Sequence, residues 1–186
     1  MELSTGFLFV VSFIVNFKIV FLNEFPNFQF PISNFQNLIL ILRDFFLISA
    51  MTVIFIYDLR WYLILDIITL PASLIMLVFN LILGYSWQNL LLSGIIGGSF
   101  FLIQFLISRG RWIGGGDIRL GLLMGLSLGW PGVLLAIIIS YFIGSIVGLG
   151  LIAAGKKKWG SEVPFGVFLA VGSVITLFWQ EPILNW

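Results

Sequence analysis

The chain has no cysteine and no histidine, and only 9% of its 186 residues are charged. Without cysteine, disulfides and thiolate metal sites are excluded. Without histidine, imidazole acid–base chemistry and the commonest metal ligand are excluded as well. Any chemistry must rest on Asp, Glu, Lys, Arg, Tyr, Ser or Thr. The scarcity of charge also leaves too little polar surface for a water-soluble domain of this size. What is abundant is apolar: 60% hydrophobic residues, 20 phenylalanines and 7 tryptophans, with a mean hydropathy of +1.15. Apolar runs of about 20 residues match a hydrocarbon core about 30 Å thick. Several such runs occur, so the expected fold class is all-α, a polytopic transmembrane helical bundle forming one domain over residues 1–186. The net charge of +1 gives no footing for nucleic acid.

Seven spans are read, at roughly 3–22, 36–57, 63–83, 89–108, 118–130, 132–154 and 163–181. The first is read as a retained span rather than a cleaved signal peptide. It lacks a basic n-region and a small-residue cleavage site, and it carries Asn16 and Lys18 near its far end. Between the first two spans, NEFPNFQFPISNF reads as a loop with interfacial aromatics, marked by Pro26 and Pro31. The stretch GKKKWG at 155–160 reads as a topology anchor beside anionic headgroups, with a grip on an acidic substrate as the lesser reading.

Basic residues set the orientation. With the N-terminus in the cytoplasm, Arg60, Arg109, Arg111, Arg119, Lys156, Lys157 and Lys158 face inward, seven of the nine basic residues. Lys18 and Arg43 fall towards the other side. The positive-inside rule therefore selects N-in and C-out. Asp58, Asp66 and Asp117 then lie at cytoplasmic helix ends.

Of eight acidic residues, Glu2, Glu24 and Glu181 sit near chain or span ends, and Glu162 offsets the lysine loop. Asp44 adjoins Arg43, but neighbouring helical residues point different ways, so a pair is not implied. It reads as a structural charge near the outer interface. Asp58, Asp66 and Asp117 sit at membrane boundaries, where ionisable groups are expensive and tend to be functional. The competing reading is helix capping. It is strong for Asp117, which precedes the apolar run IRLGLLMGLSLGW, and it leads for Asp66. It works poorly for Asp58, which ends FFLISAMTVIFIY, where a negative charge opposes the helix macrodipole.

Two carboxylates can hydrolyse an amide without histidine. If Asp58 and Asp117 face one another, repulsion and desolvation raise one pKa and leave the other low. One then activates water and the other protonates the carbonyl and the leaving amine. The sequence does not say which does which. Gly114, Gly115 and Gly116 precede Asp117, and allow backbone conformations closed to other residues. They read either as a tight turn or as an edge that offers N–H and C=O groups to an extended peptide. Gly121, Gly125 and Gly129 form a small-xxx-small face, expected to bring the fifth span against the helix bearing Asp58.

These residues resemble the signatures of the type IV prepilin leader peptidases. YDLRWYLILDIITLP at 57–71 is similar to the first signature, with Asp58 and Asp66 at the family's eight-residue spacing and Leu65 where the family has Pro. GGGDIRLGLLMGLSLGW at 114–130 is similar to the second, through Gly114, Gly116, Asp117, Leu120, Gly129 and Trp130, with Arg119 in place of Lys. VPFGVFLAVG at 163–172 is similar to a late Pro-Phe-Gly-Pro-Phe-Leu stretch through Pro164, Phe165, Gly166, Phe168 and Leu169, with Val167 replacing the second Pro. MELSTGFLF resembles the opening of the family's second membrane helix.

The resemblance implies a membrane aspartic endopeptidase of the Gly-x-Gly-Asp type, with Asp58 and Asp117 as the catalytic pair. Gly114, Gly115, Gly116, Asp66, Arg119, Pro164, Phe165 and Gly166 support substrate or site. No metal and no cofactor is called for. The implied partners are the leader peptide of a prepilin or pseudopilin, cut at the cytoplasmic face of the bacterial inner membrane, and the lipid bilayer. Oligomeric state stays open. Full-length family members carry an earlier helix and a cytoplasmic domain with four zinc-binding cysteines, linked to N-methylation. This chain aligns from after both, whether as a natural short form or as a fragment. The expectation therefore covers proteolysis and assigns neither methylation nor S-adenosylmethionine. Two alternatives stand beside it: an inactive relative that only binds prepilins, and a transporter whose carboxylates carry protons or cations.

Overall fold

The computed structural model describes residues 33–158 and 163–184. The span read at 3–22 and its following loop as far as residue 32, with Glu2, Lys18 and Glu24, lie outside the described residues, as does Glu162. Six helices run α1 (Ser33–Trp61), α2 (Asp66–Ile82), α3 (Trp87–Ser108), α4 (Gly115–Leu128), α5 (Gly132–Ala153) and α6 (Phe165–Leu184). No strand occurs among the described residues, so the all-helical expectation holds there. Three helices are long and apolar enough to cross a membrane: α1 over Phe35–Trp61, α3 and α5. Two more, Asp66–Ile82 and Phe165–Gln180, are shorter apolar helices. The count of seven spans is therefore coarser in the structure. At 14 residues, α4 is about 21 Å long, well short of the hydrocarbon core.

That short helix is the centre of the fold. It packs against α2, α3, α5 and α6, while α1 packs against α2 and α6. Leu120, Leu123 and Met124 of α4 are fully buried, together with Leu47, Met51 and Ile54 of α1, Met76 of α2, Phe101 of α3, Val133 of α5 and Leu169 of α6. The outside is as apolar as the inside. Leu74 and Val78 of α2, Ile95 and Leu106 of α3, and Ile138 and Phe142 of α5 all face outward. Such an exterior suits lipid, and the chain is a membrane protein. Since lipid tails compete equally for apolar side chains, close packing of small residues has to hold such a bundle together.

The glycine face of α4 meets that demand, but against a different helix from the one expected. A Cβ on Gly121 would stand 2.5 Å from the Gly97 carbonyl oxygen and 2.5 Å from Phe101 Cδ2. A Cβ on Gly125 would overlap the Ser93 carbonyl. Both neighbours belong to α3, not to the helix bearing Asp58. The physical reason is complementarity. Gly94, Gly97 and Gly98 give α3 its own groove, whereas α1 presents Leu47, Met51 and Ile54. Gly129 does not belong to this face. It closes α4 with φ +66°, a left-handed conformation suited to glycine. Hydroxyls inside the bundle bond back to carbonyls one turn earlier, as Ser73 does to Thr69, Ser140 to Ala136 and Ser173 to Leu169.

At one end of the bundle, Arg43 and Asp44 do pair. The arginine Nε and Nη2 donate to the same Asp44 Oδ1 at 2.8 and 2.6 Å, both residues buried. The long guanidinium stem folds back, which overrides the divergence of neighbouring helical positions. Arg43 Nη1 also donates to Asn80 Oδ1 at 3.3 Å. Asn80 Nδ2 in turn donates to the Leu126 and Ser127 carbonyls, at the C-terminal end of α4. Positive charge thus sits where the α4 dipole is negative. Asp58 lies about 22 Å further along α1, at the other end of the bundle.

Candidate active site

Four chain segments converge at that other end. α1 ends there, α2, α4 and α6 begin there, and Asp58, Asp66, Asp117 and Gly166 lie in these terminal turns. The chain leaves α1 through Tyr62, which takes the left-handed φ of +54° and donates its N–H to the Asp58 carbonyl at 2.9 Å. This is a helix C-cap built without glycine. Leu65 beyond it is extended, and Ile64 packs its partly buried side chain against the core. Ile64 then lies against the starts of two helices. A Cβ on Gly116 would stand 2.7 Å from Ile64 Cβ, and one on Gly166 would stand 2.9 Å from Ile64 Cδ1.

Asp58 is buried in the last turn of α1. Its carboxylate opposes the dipole of its own helix, but it meets the N-terminus of another. Oδ2 accepts the backbone N–H of Val167, at the third residue of α6, at 3.0 Å. The Gly166 N–H lies beside the same group. A helix N-terminus carries unsatisfied donors and partial positive charge, so it suits a carboxylate. The local benefit that the sequence did not show for Asp58 is therefore present, and it comes from 109 residues further along the chain. Gly166 is needed for this approach, since its Cβ would stand 2.9 Å from Asp58 Oδ2.

Asp117 is buried in the first turn of α4. It is not the N-cap. Gly114 holds that position, and its N–H donates back to Asp117 Oδ2 at 2.8 Å. The other oxygen, Oδ1, is buried with no hydrogen-bond partner in the protein. Asp117 lies outside the three helices long enough to span. Burial pushes its carboxyl up to about 7, the Gly114 N–H opposes this, and the charge of Asp58 adds to it. Asp58 thus lies close enough for its charge to bear on Asp117.

The glycine triplet does not draw on the conformational freedom of glycine. None of the three has a left-handed backbone. Gly114 is extended, while Gly115 and Gly116 are already helical. Gly116 is glycine because Ile64 occupies the place of its Cβ, whereas a Cβ on Gly115 would meet nothing within 4 Å. Asp66 opens α2, after Leu65 at its N-cap, and forms an ion pair with Arg119 of α4. Both side chains are nearly half exposed. Pro164 directly precedes α6, where a missing N–H costs nothing, and Phe165 is its first residue.

Sequence reasoning missed three features. The Val167 N–H carries no side-chain signature, and Val167 stood out only as a replacement. Ile64 looked like one more apolar residue in WYLIL. The partnership of Asp66 with Arg119 joins positions 53 residues apart.

Residues 45–149 of the chain, more than half of it, match the type IV leader peptidase family. The chain is 31% identical over 134 residues to a prepilin leader peptidase/N-methyltransferase of Aeromonas salmonicida (strain A449), covering 69% of this chain and 46% of the relative. It is 32% identical over 146 residues to the protein of that name from Burkholderia pseudomallei (strain 1026b), covering 76% and 47%. A Pseudomonas aeruginosa protein of the same name is 29% identical over 123 residues, covering 63% and 42%. The chain thus spans about half the length of the curated relatives it matches. No solved structure matches it. The matched interval holds Asp58 and Asp117, the Ile64 wedge, the Asp66–Arg119 pair and the glycine start of α4. On that match, the chain belongs to the type IV leader peptidase family.

Proposed function

We propose that this chain is an aspartic endopeptidase that removes the leader peptide of type IV prepilins or pseudopilins. The observation that carries this is the buried pair. Asp58 and Asp117 sit at one end of the bundle, each held through one oxygen by backbone N–H groups at a helix start, with Asp117 Oδ1 left unpartnered. Preorganised carboxylates of this kind do not reorganise during reaction. One carboxylate takes a proton from water, and the water oxygen attacks the scissile carbonyl. The protonated partner gives its proton to the carbonyl oxygen, and a carboxyl proton then passes to the leaving amine. Gly114, Gly115, Gly116, Pro164, Phe165 and Gly166 support this site. The charge bias selects the cytoplasmic face of the inner membrane for it, with the chain N-in and C-out.

The test is cleavage of a co-expressed prepilin, read as a size shift and as the new N-terminus of the product. The native chain is expected to cut once, between leader and mature protein. A correctly folded chain that leaves several prepilins and pseudopilins intact would remove this reading.

The flanking ion pair is expected to matter less. A half-exposed pair contributes about 1 kcal/mol or less, so Asp66→Ala should cost less activity than Asp58→Ala. Equal losses would overturn that ranking. Arg119→Gln is expected to leave the pH–rate profile in place, because Asp66 and not Asp117 engages the guanidinium. A displaced limb in that variant would show that Arg119 acts on the aspartates.

A further inference from the structure

Tyr141 lies on α5, outside the motifs that define the site, yet it touches the residue that starts α6. Its ring stands 4.8 Å from the Phe165 ring, edge to face. Phe100 of α3 packs on the other side of Tyr141, with centroids 5.8 Å apart at 89°. Phe101, fully buried in α3, reaches Phe165 at 6.3 Å. The Tyr141 hydroxyl donates to Gln104 Oε1 of α3 at 2.7 Å, which fixes the rotation of the ring. Phe165 is therefore held from two helices, by Tyr141 of α5 and Phe101 of α3, and Phe100 braces Tyr141 from behind. The next two residues in the chain are Gly166 and Val167, whose N–H groups meet Asp58.

We infer that Tyr141 is a positioning residue for Asp58, which it serves by holding Phe165, and with it the N-terminal turn of α6, against the carboxylate. The role follows from geometry. Phe165 is the first residue of α6 and stands two positions before Val167, so its aromatic contacts bear directly on where the first turn meets Asp58. Edge-to-face rings are directional and fix orientation better than an aliphatic contact of equal area. A displacement of about 1 Å at a reacting group costs on the order of a hundredfold in rate. The inference rests on the peptidase reading for its kinetic test, and it has a second test that does not.

In the kinetic test, Tyr141→Leu is expected to lower kcat roughly tenfold to a hundredfold, with KM little changed. Tyr141→Phe keeps the ring and is expected to recover most of that loss. Phe165→Leu breaks the same contact from the other side, and the double variant should be no worse than either single one. If Tyr141→Leu fails to fold, Phe165→Leu carries the test by itself. In the second test, the Asp58 carboxylate band is identified by infrared difference against Asp58→Asn. It should shift in Tyr141→Leu and return in Tyr141→Phe, whether or not a prepilin is cut. An unmoved band, or a Tyr141→Leu variant as fast as the native chain, would overturn the inference. So would a loss confined to KM. If the native chain cuts nothing while the band shifts as described, the positioning role stands and the peptidase reading falls.

Discussion

Asp117→Asn is expected to slow leader cleavage by about 10²–10⁴-fold, and Asp58→Asn by a similar factor, since each removes one partner of an acid–base pair. The double variant should be hardly worse than either single one, because groups that act as a unit are not additive. Asparagine keeps the shape and the acceptor for the Gly114 or Val167 N–H, so thermal unfolding in detergent should change little. The pH dependence has a worked sign. Burial holds the Asp117 carboxyl up to about 7, so below that pH it keeps a proton to give to the scissile carbonyl. As pH rises through about 7 the proton leaves and the rate falls. That alkaline limb belongs to the pair, not to one residue alone. It is measured as kcat/KM against pH for the native chain and for Asp66→Ala, and both should show it. Cleavage by either asparagine variant at the native rate would dismiss the two-aspartate mechanism.

Gly121→Ala is expected to damage the bundle with a single methyl group. Its Cβ would stand 2.5 Å from a backbone carbonyl oxygen of α3 and 2.5 Å from the buried Phe101 ring. Neither yields cheaply, so α4 has to move away from α3. Overpacking of this kind costs about 1–3 kcal/mol, more where backbone is the obstacle. Because α4 carries Asp117, the same movement displaces the site, so activity and stability should fall together. Gly98→Ala is the matched control. Its Cβ would meet Ile118 O only at 3.6 Å, an ordinary contact. Removing a helical glycine there should be neutral or stabilising by up to about 1 kcal/mol. Unfolding temperatures of the two variants in one detergent decide the matter. Equal temperatures would mean that the α3–α4 interface is loose enough to absorb a methyl group.

The helices themselves were legible because lipid imposes a simple rule on each segment separately: a long apolar run either crosses or lies in the bilayer. Their ends were less legible. α1 runs past Asp58 to Trp61, and α4 begins at Gly115 rather than after Asp117. Helix ends are set by what receives the last carbonyls and first N–H groups, here a left-handed Tyr62 and an extended Gly114. The glycine ladder of α4 was recognisable as a packing face, but its partner was not. A one-dimensional pattern shows that a surface is flat and leaves open which flat surface meets it.

Residues alone narrowed the candidates to Asp58, Asp66 and Asp117, because with no histidine and no cysteine very few groups could do chemistry, and the family resemblance singled out Asp58 and Asp117. The sequence by itself thus determined an all-helical membrane protein and the apolar segments that form its described helices. Tertiary structure alone decided what holds the aspartates. Asp58 is secured by backbone N–H groups 108 and 109 residues away, donors that every residue but proline possesses and no motif records. Gly116 and Gly166 are glycines because one isoleucine between two helices fills the space beside both. Asp66 answers Arg119 from 53 residues away. Each of these depends on which helix ends meet, and that is set by the packing of the whole bundle around α4 rather than by any local spacing.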